Sequence, residues 1–159
     1  MRETRYDIVI SNETGRRAYV KRMRAALESL LTSYNVPSCR IDVLVTTNSR
    51  MADLNSEFRK ENCSTDVLTF PGPGWEGAPM GDIAVSLDYA ESGARERGVA
   101  VSTELAFLAV HGGLHLLGFD DVDEPSRLDM VKRMNTVMVS CGLPPDDAWT
   151  SQPHEGDQQ

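Results

Sequence analysis

The chain has 159 residues, 40% of them hydrophobic and 25% charged, which is typical of a globular protein with a buried core. A net charge of −8 and a pI near 4.8 argue against a general nucleic-acid binder, because phosphate contacts require clustered lysine and arginine. No apolar run approaches the roughly 20 residues that span a membrane, and no signal-peptide pattern is present. We therefore expect a cytoplasmic protein with no membrane partner.

Hydrophobic periodicity and chain-breaking residues predict the elements in chain order. Strands are expected at residues 6–10, 40–47, 66–70 and 81–87, and helices at 13–34, 49–58, 87–97, 102–118 and from Pro125 to Gly142. Ser49 and Ser102 are the expected N-caps of their helices. The Pro- and Gly-rich stretch 71–81 is a predicted loop with an exposed Trp75, and loops of this kind often lie over functional clefts.

These elements predict an α+β fold with a single domain over residues 1–145. The polar, acidic tail 146–159 is expected to contribute little to the core. The inward stripe of the last helix is expected to consist of Leu128, Val131, Met134, Met138 and Cys141. Cys39, Cys63 and Cys141 are far apart and odd in number, which predicts free thiols in a reducing compartment.

Residues 16–24 carry five basic side chains in nine positions. On the predicted helix, Arg17, Lys21 and Arg24 follow the flank of an apolar arc formed by Val20, Met23, Leu27, Leu30 and Leu31. Two interpretations stay open at this point. The basic residues form either a solvated face of an amphipathic helix or a stripe that faces a polyanion.

The stretch VHGGLHLLGFDD, residues 110–121, places two of the three histidines four residues apart. His111 and His115 therefore share one face of a helix, about 40° apart, as two ligands of one metal ion do. Gly118 can take a left-handed conformation that turns the chain back, so that Asp121 reaches the same ion. Asp120 and Asp123 are nearby competitors for the third position. Three protein ligands with one open position are typical of a catalytic metal site.

The predicted helix 102–118 is apolar on almost every side, which indicates a buried helix. Gly112 and Gly113 each cost on the order of 1 kcal/mol there relative to alanine. We expect that the backbone is kept bare for close packing or for substrate approach. Glu104 shares the histidine face but is two turns from His111, about 10 Å along the axis, which favours a supporting or structural role.

The pattern H-x-x-x-H-x-x-G-x-x-D resembles the metzincin proteases at first. In those enzymes a glutamate follows the first histidine and is the general base. Gly112 occupies that position here and cannot accept a proton. The protease interpretation is therefore disfavoured.

A second resemblance covers nearly the whole chain. The segment is similar to the signature H-G-x-L-H-L-x-G-[YF]-D-H of the YbeY-type endoribonucleases, which mature bacterial ribosomal RNA. The matching residues are His111, Gly112, Leu114, His115, Leu116, Gly118, Phe119 and Asp120. Upstream, residues 54–71 resemble the family's L-N-x-x-F-R-x-x-x-x-x-T-D-V-L-S-F-P, and MGDIAVS resembles its L-G-D-I-x-I-S.

The resemblance implies a small mixed sheet of about four strands packed with about five helices. It also implies one divalent ion, expected to be zinc, and ribosomal RNA of the small subunit as partner, with no small-molecule cofactor. Arg59 corresponds to the family's arginine at the cleft, where a planar guanidinium suits phosphate oxygens. Lys60, Arg17, Lys21 and Arg24 would add contacts to the RNA backbone. Thr65 and Asp66 are expected to be structural, fixing the turn into the third strand.

The signature ends in a third histidine ligand, and this chain has Asp121 there. An anionic oxygen donor could shift the preference from zinc towards other divalent ions, or the site could be weakened or vacant. His154 is an alternative third ligand. No general base is identified, since Glu104 is distant and Asp120 is the nearer candidate. Two hypotheses follow: a metal-dependent, single-strand-specific endoribonuclease of ribosomal RNA maturation and quality control, or a ribosome-associated RNA-binding or assembly factor with weakened catalysis.

Overall fold

The computed structural model describes residues 3–59 and 65–151. The strands are β1 Tyr6–Asn12, β2 Cys39–Thr46, β3 Val67–Pro71 and β4 Gly81–Ser86. The helices are α1 Lys21–Ser33, α2 Asn48–Arg59, α3 Leu87–Arg97, α4 Val101–Leu116 and α5 Glu124–Ser140. The predicted element order is confirmed.

The strands form one mixed sheet in the order β1-β2-β4-β3. β1 pairs with β2 and β2 with β4 in parallel, while β3 runs antiparallel to β4. Alternation along each strand sends Ile41, Val43, Ile83 and Val85 into the main core, whereas Leu68 and Ala84 pack with α2 on the other face. The α+β fold with a mixed four-stranded sheet is thus confirmed.

Helix α4 is the centre of the molecule, and all of its residues from Thr103 to Leu114 are buried. A Cβ at Gly112 would lie 2.8 Å from Ile83 Cγ2 and 3.3 Å from Thr69 Cγ2. A Cβ at Gly113 would clash with the Leu30 side chain of α1. Close packing against the sheet and α1 is therefore the reason for both glycines.

Helix α1 begins eight residues later than predicted, at Lys21 rather than residue 13. Asn12 and Thr14 side chains accept hydrogen bonds from the backbone N–H groups of Thr14 and Arg16, at 3.0 Å each. Such local side-chain bonds compete with helix formation. The predicted continuous helical stripe of Arg17, Lys21 and Arg24 is consequently wrong. Of the predicted apolar arc, Met23, Leu27, Leu30 and Leu31 are buried.

Two predicted N-caps are also wrong. Helix α2 starts at Asn48, and Thr47 Oγ1 accepts from the N–H of Arg50 at 3.3 Å. Helix α4 starts at Val101 after Ala100, which makes no side-chain cap. A serine near a helix start is a cap only if its own backbone is still extended.

The tail does contribute to the core, contrary to prediction. Trp149 is only 1% exposed and stacks on Phe107 with a centroid distance of 5.8 Å. In α5, Leu128 is half exposed, whereas Val131, Met134 and Met138 are buried as predicted. Cys39 and Cys141 are free thiols, as predicted, and Cys63 lies outside the described residues.

Within residues 3–59 and 65–151, no single helix is long and apolar enough to cross a membrane. Helices α3 and α4 together have the length and the apolar composition of a membrane span, but they meet at a bend of 115°.

Candidate metal centre

The end of α4 forms a turn that returns the chain towards the histidines. Gly118 has φ +102°, and its N–H donates to the His115 carbonyl at 3.0 Å. The N–H of Phe119 donates to the Leu114 carbonyl at 3.1 Å. These two bonds define a Schellman motif with glycine at its left-handed position. The turn predicted from Gly118 is confirmed, and it brings Asp121 beside α4.

His111, His115 and Asp121 form a group whose ligand atoms all lie within 4.8 Å of one another. The two Nε2 atoms are 3.1 Å apart. Asp121 Oδ2 lies 3.5 Å from His111 Nε2, and Oδ1 lies 3.6 Å from His115 Nε2. Ligand atoms of a tetrahedral zinc with bonds of about 2.0–2.1 Å are about 3.3 Å apart. The three residues therefore fit a zinc-sized ion.

The protonation of His111 suits a metal ligand. Burial, and then the proximity of His115, lower the pKa of His111 to about 3. The imidazole is therefore neutral near pH 7 and offers its lone pair without losing a proton.

The group opens into a pocket of about 230 Å³ lined by Val67, Thr69, His111, His115, Asp121 and Ser151. His111, His115 and Asp121 are the only ionisable side chains in this lining, as far as the described residues go. A larger, more apolar cavity of about 470 Å³ is lined by residues such as Leu44, Leu54, Phe58 and Phe70, and by none of the three candidate ligands.

The competing acidic residues are placed elsewhere. Asp123 is the N-cap of α5 and accepts from the Ser126 N–H at 2.8 Å. Asp120 is exposed and does not line the pocket. Asp66 is buried and its Oδ1 accepts from Ser151 Oγ at 2.6 Å, in keeping with the expected structural role. His154 lies outside the described residues.

Glu104 does not line the pocket either. Neither of the two candidates for the general base, Glu104 and Asp120, therefore lies in the pocket lining. Glu104 Oε1 accepts from Arg97 Nη1 at 2.5 Å and from Trp149 Nε1 at 2.9 Å. Burial raises the pKa of Glu104, and the Arg97 charge opposes that rise. The side chain is therefore part of a buried network behind His111.

The predicted RNA-binding residues are spread over the molecule. Arg17 lies before α1 with its guanidinium over the Tyr19 ring, Lys21 is the first residue of α1, and Arg24 donates to the Ile8 carbonyl. None of these three lines the pocket. Arg59 is the last residue of α2. The side chain of Arg59 and all of Lys60 lie outside the described residues, so their roles stay predictions.

Helix α1 packs against the face of α4 that is turned away from the pocket. Its basic residues therefore do not form a wall of the pocket. Gly113 faces α1, and at 100° per residue His111 and His115 point about 160° away from it. The arginine-rich start of α1 instead meets the beginning of α4, where Arg22 Nη1 donates to Thr103 Oγ1 at 3.0 Å.

Sequence reasoning missed two residues around this centre, Trp149 and Ser151. Both belong to the segment taken for a tail, and both reach the site through contacts distant in sequence. The one available signal was a large aromatic residue, Trp149, in an otherwise polar stretch.

Fold and site define a small α+β protein that holds two histidines and a carboxylate at the end of a buried helix. A family model described as "Endoribonuclease YbeY" matches residues 7–142. A protein named Endoribonuclease YbeY from Solibacter usitatus is 38% identical over 140 residues, 84% of this chain and 90% of its own length. Another of that name, from Chloroflexus aggregans, is 38% identical over 130 residues, 75% of this chain and 85% of its own.

Among solved structures, the solution structure of a Thermotoga maritima protein has a TM-score of 0.55 at 26% identity. The match covers 82% of this chain and 85% of that one. The chain belongs to the YbeY family, and the resemblance found in its sequence is confirmed.

Proposed function

We propose that this protein is a metal-dependent endoribonuclease that cleaves single-stranded RNA in ribosomal RNA maturation and quality control. Its substrate is RNA of the small ribosomal subunit, and it acts in the cytoplasm. The observation that carries the proposal is the convergence of His111, His115 and Asp121 on one point of an open pocket. Its relatives bear the name endoribonuclease.

The three side chains would hold one divalent ion, expected to be zinc. A divalent ion in such a site supplies activation of water or polarisation of a phosphoryl oxygen. His111 and His115 offer neutral nitrogen donors, and Asp121 brings one negative charge. The neighbouring wall is formed by Val67, Thr69 and Ser151, which leaves room on the open side for a phosphodiester.

Arg59 would bind the RNA backbone. It ends the family-like segment L-N-S-E-F-R, and a guanidinium can donate to two phosphate oxygens at once. Such a contact orients the scissile phosphate without reading the base.

The alternative, an RNA-binding assembly factor with weakened catalysis, depends on Asp121 failing as a ligand. The placement of its carboxylate at 3.5 and 3.6 Å from the two Nε2 atoms argues against that failure. We therefore keep the nuclease as the proposed function.

Purified wild-type protein and His111→Ala test this proposal together. The wild type should carry about one divalent ion per chain and cleave an end-labelled single-stranded RNA. The variant should lose both, because two remaining ligands rarely hold a catalytic ion. Mass spectrometry gives metal content, and gel electrophoresis gives cleavage. Unchanged metal in His111→Ala would show that the site is wrong, and a metal-loaded wild type without cleavage would favour the assembly factor.

A further inference from the structure

Within the part of the chain that the structure describes, His111 lacks the hydrogen-bonded support that a metal-ligating histidine normally has. Such a histidine donates its second ring N–H to a carboxylate, carbonyl or water, which fixes the plane of the ring. Nδ1 of His111 is buried and has no hydrogen-bond partner among the described residues. Packing therefore has to hold the ring in the orientation that turns Nε2 towards His115 and Asp121.

The indole of Trp149 packs against that ring. The two ring centroids are 5.2 Å apart, with 48° between the planes. Trp149 is 1% exposed, and its other surroundings are the stacked ring of Phe107 and the Arg97 guanidinium, 5.5 Å from the indole centroid. Its Nε1 donates to Glu104 Oε1 at 2.9 Å. An indole fixed on these sides cannot turn away from the imidazole.

The chain on both sides of Trp149 is anchored as well. Asp146 Oδ2 lies 3.4 Å from Arg97 Nε, and the Thr150 carbonyl accepts from Arg97 Nη2 at 3.3 Å. Ser151 Oγ donates to Asp66 Oδ1 at 2.6 Å and lines the metal pocket. Residues Asp146–Ser151, which we call the strap, thus run from α3 to the start of β3 past His111. They lie beyond the residues that match the family model, 7–142.

We propose that the strap sets the geometry of the metal centre and that Trp149 is the positioning residue of His111. This inference rests on the metal centre of the proposed function and adds a second requirement to it. Trp149 is not a ligand, and it acts by holding one imidazole in its ligating orientation. A supporting shell of this kind reduces the reorganisation needed when the ion binds.

Zinc affinity tests the proposal. Dissociation constants are measured by competition with a chromogenic chelator for the wild type, Trp149→Ala and the control Leu31→Ala. Leu31 is fully buried in α1, away from the histidine face, and its truncation costs stability of a similar size. Trp149→Ala should bind zinc about 10- to 100-fold more weakly, as is typical when the support of a ligand is removed. Leu31→Ala should bind zinc like the wild type.

Each alternative outcome has a distinct meaning. An unchanged zinc affinity in Trp149→Ala, or an equal loss in both variants, would overturn the role of Trp149. A wild type that binds no zinc would instead overturn the metal centre itself, and the strap proposal with it. Trp149→Phe keeps most of the packing if the alanine variant does not fold, and it should still weaken zinc several-fold because it cannot donate to Glu104.

Fluorescence gives an independent readout. The protein has two tryptophans, and Trp75 is 70% exposed, so Trp75→Phe leaves Trp149 as the only indole emitter. Its emission should change in step with zinc occupancy, because the ion would place a positive charge on the imidazole against which the indole packs. Constant emission across a titration that reaches full occupancy would contradict the proposal.

Discussion

Asp121 is the residue at which this chain departs from the YbeY-type signature, which has histidine there. The side chain of aspartate is shorter, yet the Schellman turn at Gly118 brings the backbone close enough to α4 for the Asp121 carboxylate to lie 3.5 and 3.6 Å from the two Nε2 atoms. An ion held by two imidazoles and one carboxylate carries one charge less than an ion held by three imidazoles. Asp121 would therefore change the charge of the proposed centre while keeping three candidate ligands.

Substitutions at Asp121 test this ligand role. Asp121→His should tighten zinc because it restores three nitrogen donors. Asp121→Ala should loosen zinc by about 10- to 100-fold or more. Asp120→Ala is the matched control, since Asp120 is the adjacent carboxylate and is exposed outside the pocket. Zinc titrations of the four proteins decide the matter, and equal affinities of Asp121→Ala and Asp120→Ala would remove Asp121 from the site.

The protonation of His111 predicts a pH dependence of the metal-free protein. The unfolded chain binds a proton at this histidine below about pH 6.5, whereas the folded chain does so only near pH 3. Between these values the unfolded state holds more protons, so the free energy of unfolding falls as the pH falls, by about 1.4 kcal/mol per pH unit from this group. In His111→Gln the contribution of this histidine to the pH dependence of the free energy of unfolding should vanish. Urea unfolding of both proteins at pH 7, 6 and 5 in chelator measures it, and parallel slopes would contradict the assignment.

At the residue scale, the convergence of the three candidate ligands was predictable and the packing around them was not. His111, His115 and Asp121 follow from helical spacing and one glycine, which are local features of the sequence. Trp149 reaches Glu104 across 45 residues, and Ser151 reaches Asp66 across 85. Contacts of that range leave no periodic pattern, so the sequence predicts a tail that contributes little to the core where the structure has the strap.

At the scale of secondary structure, the order and type of the helices and strands were predictable. Their boundaries were less predictable. Hydrophobic patterning together with chain-breaking residues identifies every helix and strand of the described residues, including α4, which is apolar on almost every side. The start of α1 was wrong because Asn12 and Thr14 stabilise a turn through their own side chains. The sequence predicts a bare backbone at Gly112 and Gly113, for close packing or for substrate approach, and only the tertiary structure shows that the sheet and α1 pack there.

Gly112 gives a prediction for the contact between α4 and the sheet. In an unconstrained helix, glycine to alanine stabilises by about 1 kcal/mol. Gly112→Ala should instead destabilise by about 1–3 kcal/mol, because its Cβ would meet Ile83 Cγ2 at 2.8 Å. Ile83, Thr69 and Val67 are β-branched and cannot easily turn aside. Chemical denaturation measures the change, and a stabilised variant would show that α4 is free to shift.

At the scale of the whole molecule, charge limits how the protein could bind RNA in the proposed function. The net charge is −8, and many arginines are already paired with carboxylates. Examples among the described residues are Arg16 with Asp88 and Glu91, Arg40 with Asp42, Arg127 with Glu124, and Arg133 with Asp129. The proposed binding of RNA would therefore depend on the metal centre and a few local cations rather than on a basic surface.

Arg59 is the cation that we expect to contribute most to RNA binding. Each phosphate contact to single-stranded RNA contributes about 0.7 to the slope of log K against log salt concentration. Arg59→Glu should therefore weaken RNA association, slow cleavage and reduce that slope by about 0.7, while the melting temperature changes by only a few degrees. Arg50→Glu is the matched control, because Arg50 is exposed on the same helix and the change in charge is identical. Fluorescence anisotropy with labelled RNA at several salt concentrations measures the effect. Equal losses in both variants would indicate a general charge effect, and a large fall in melting temperature for Arg59→Glu would reveal a structural arginine.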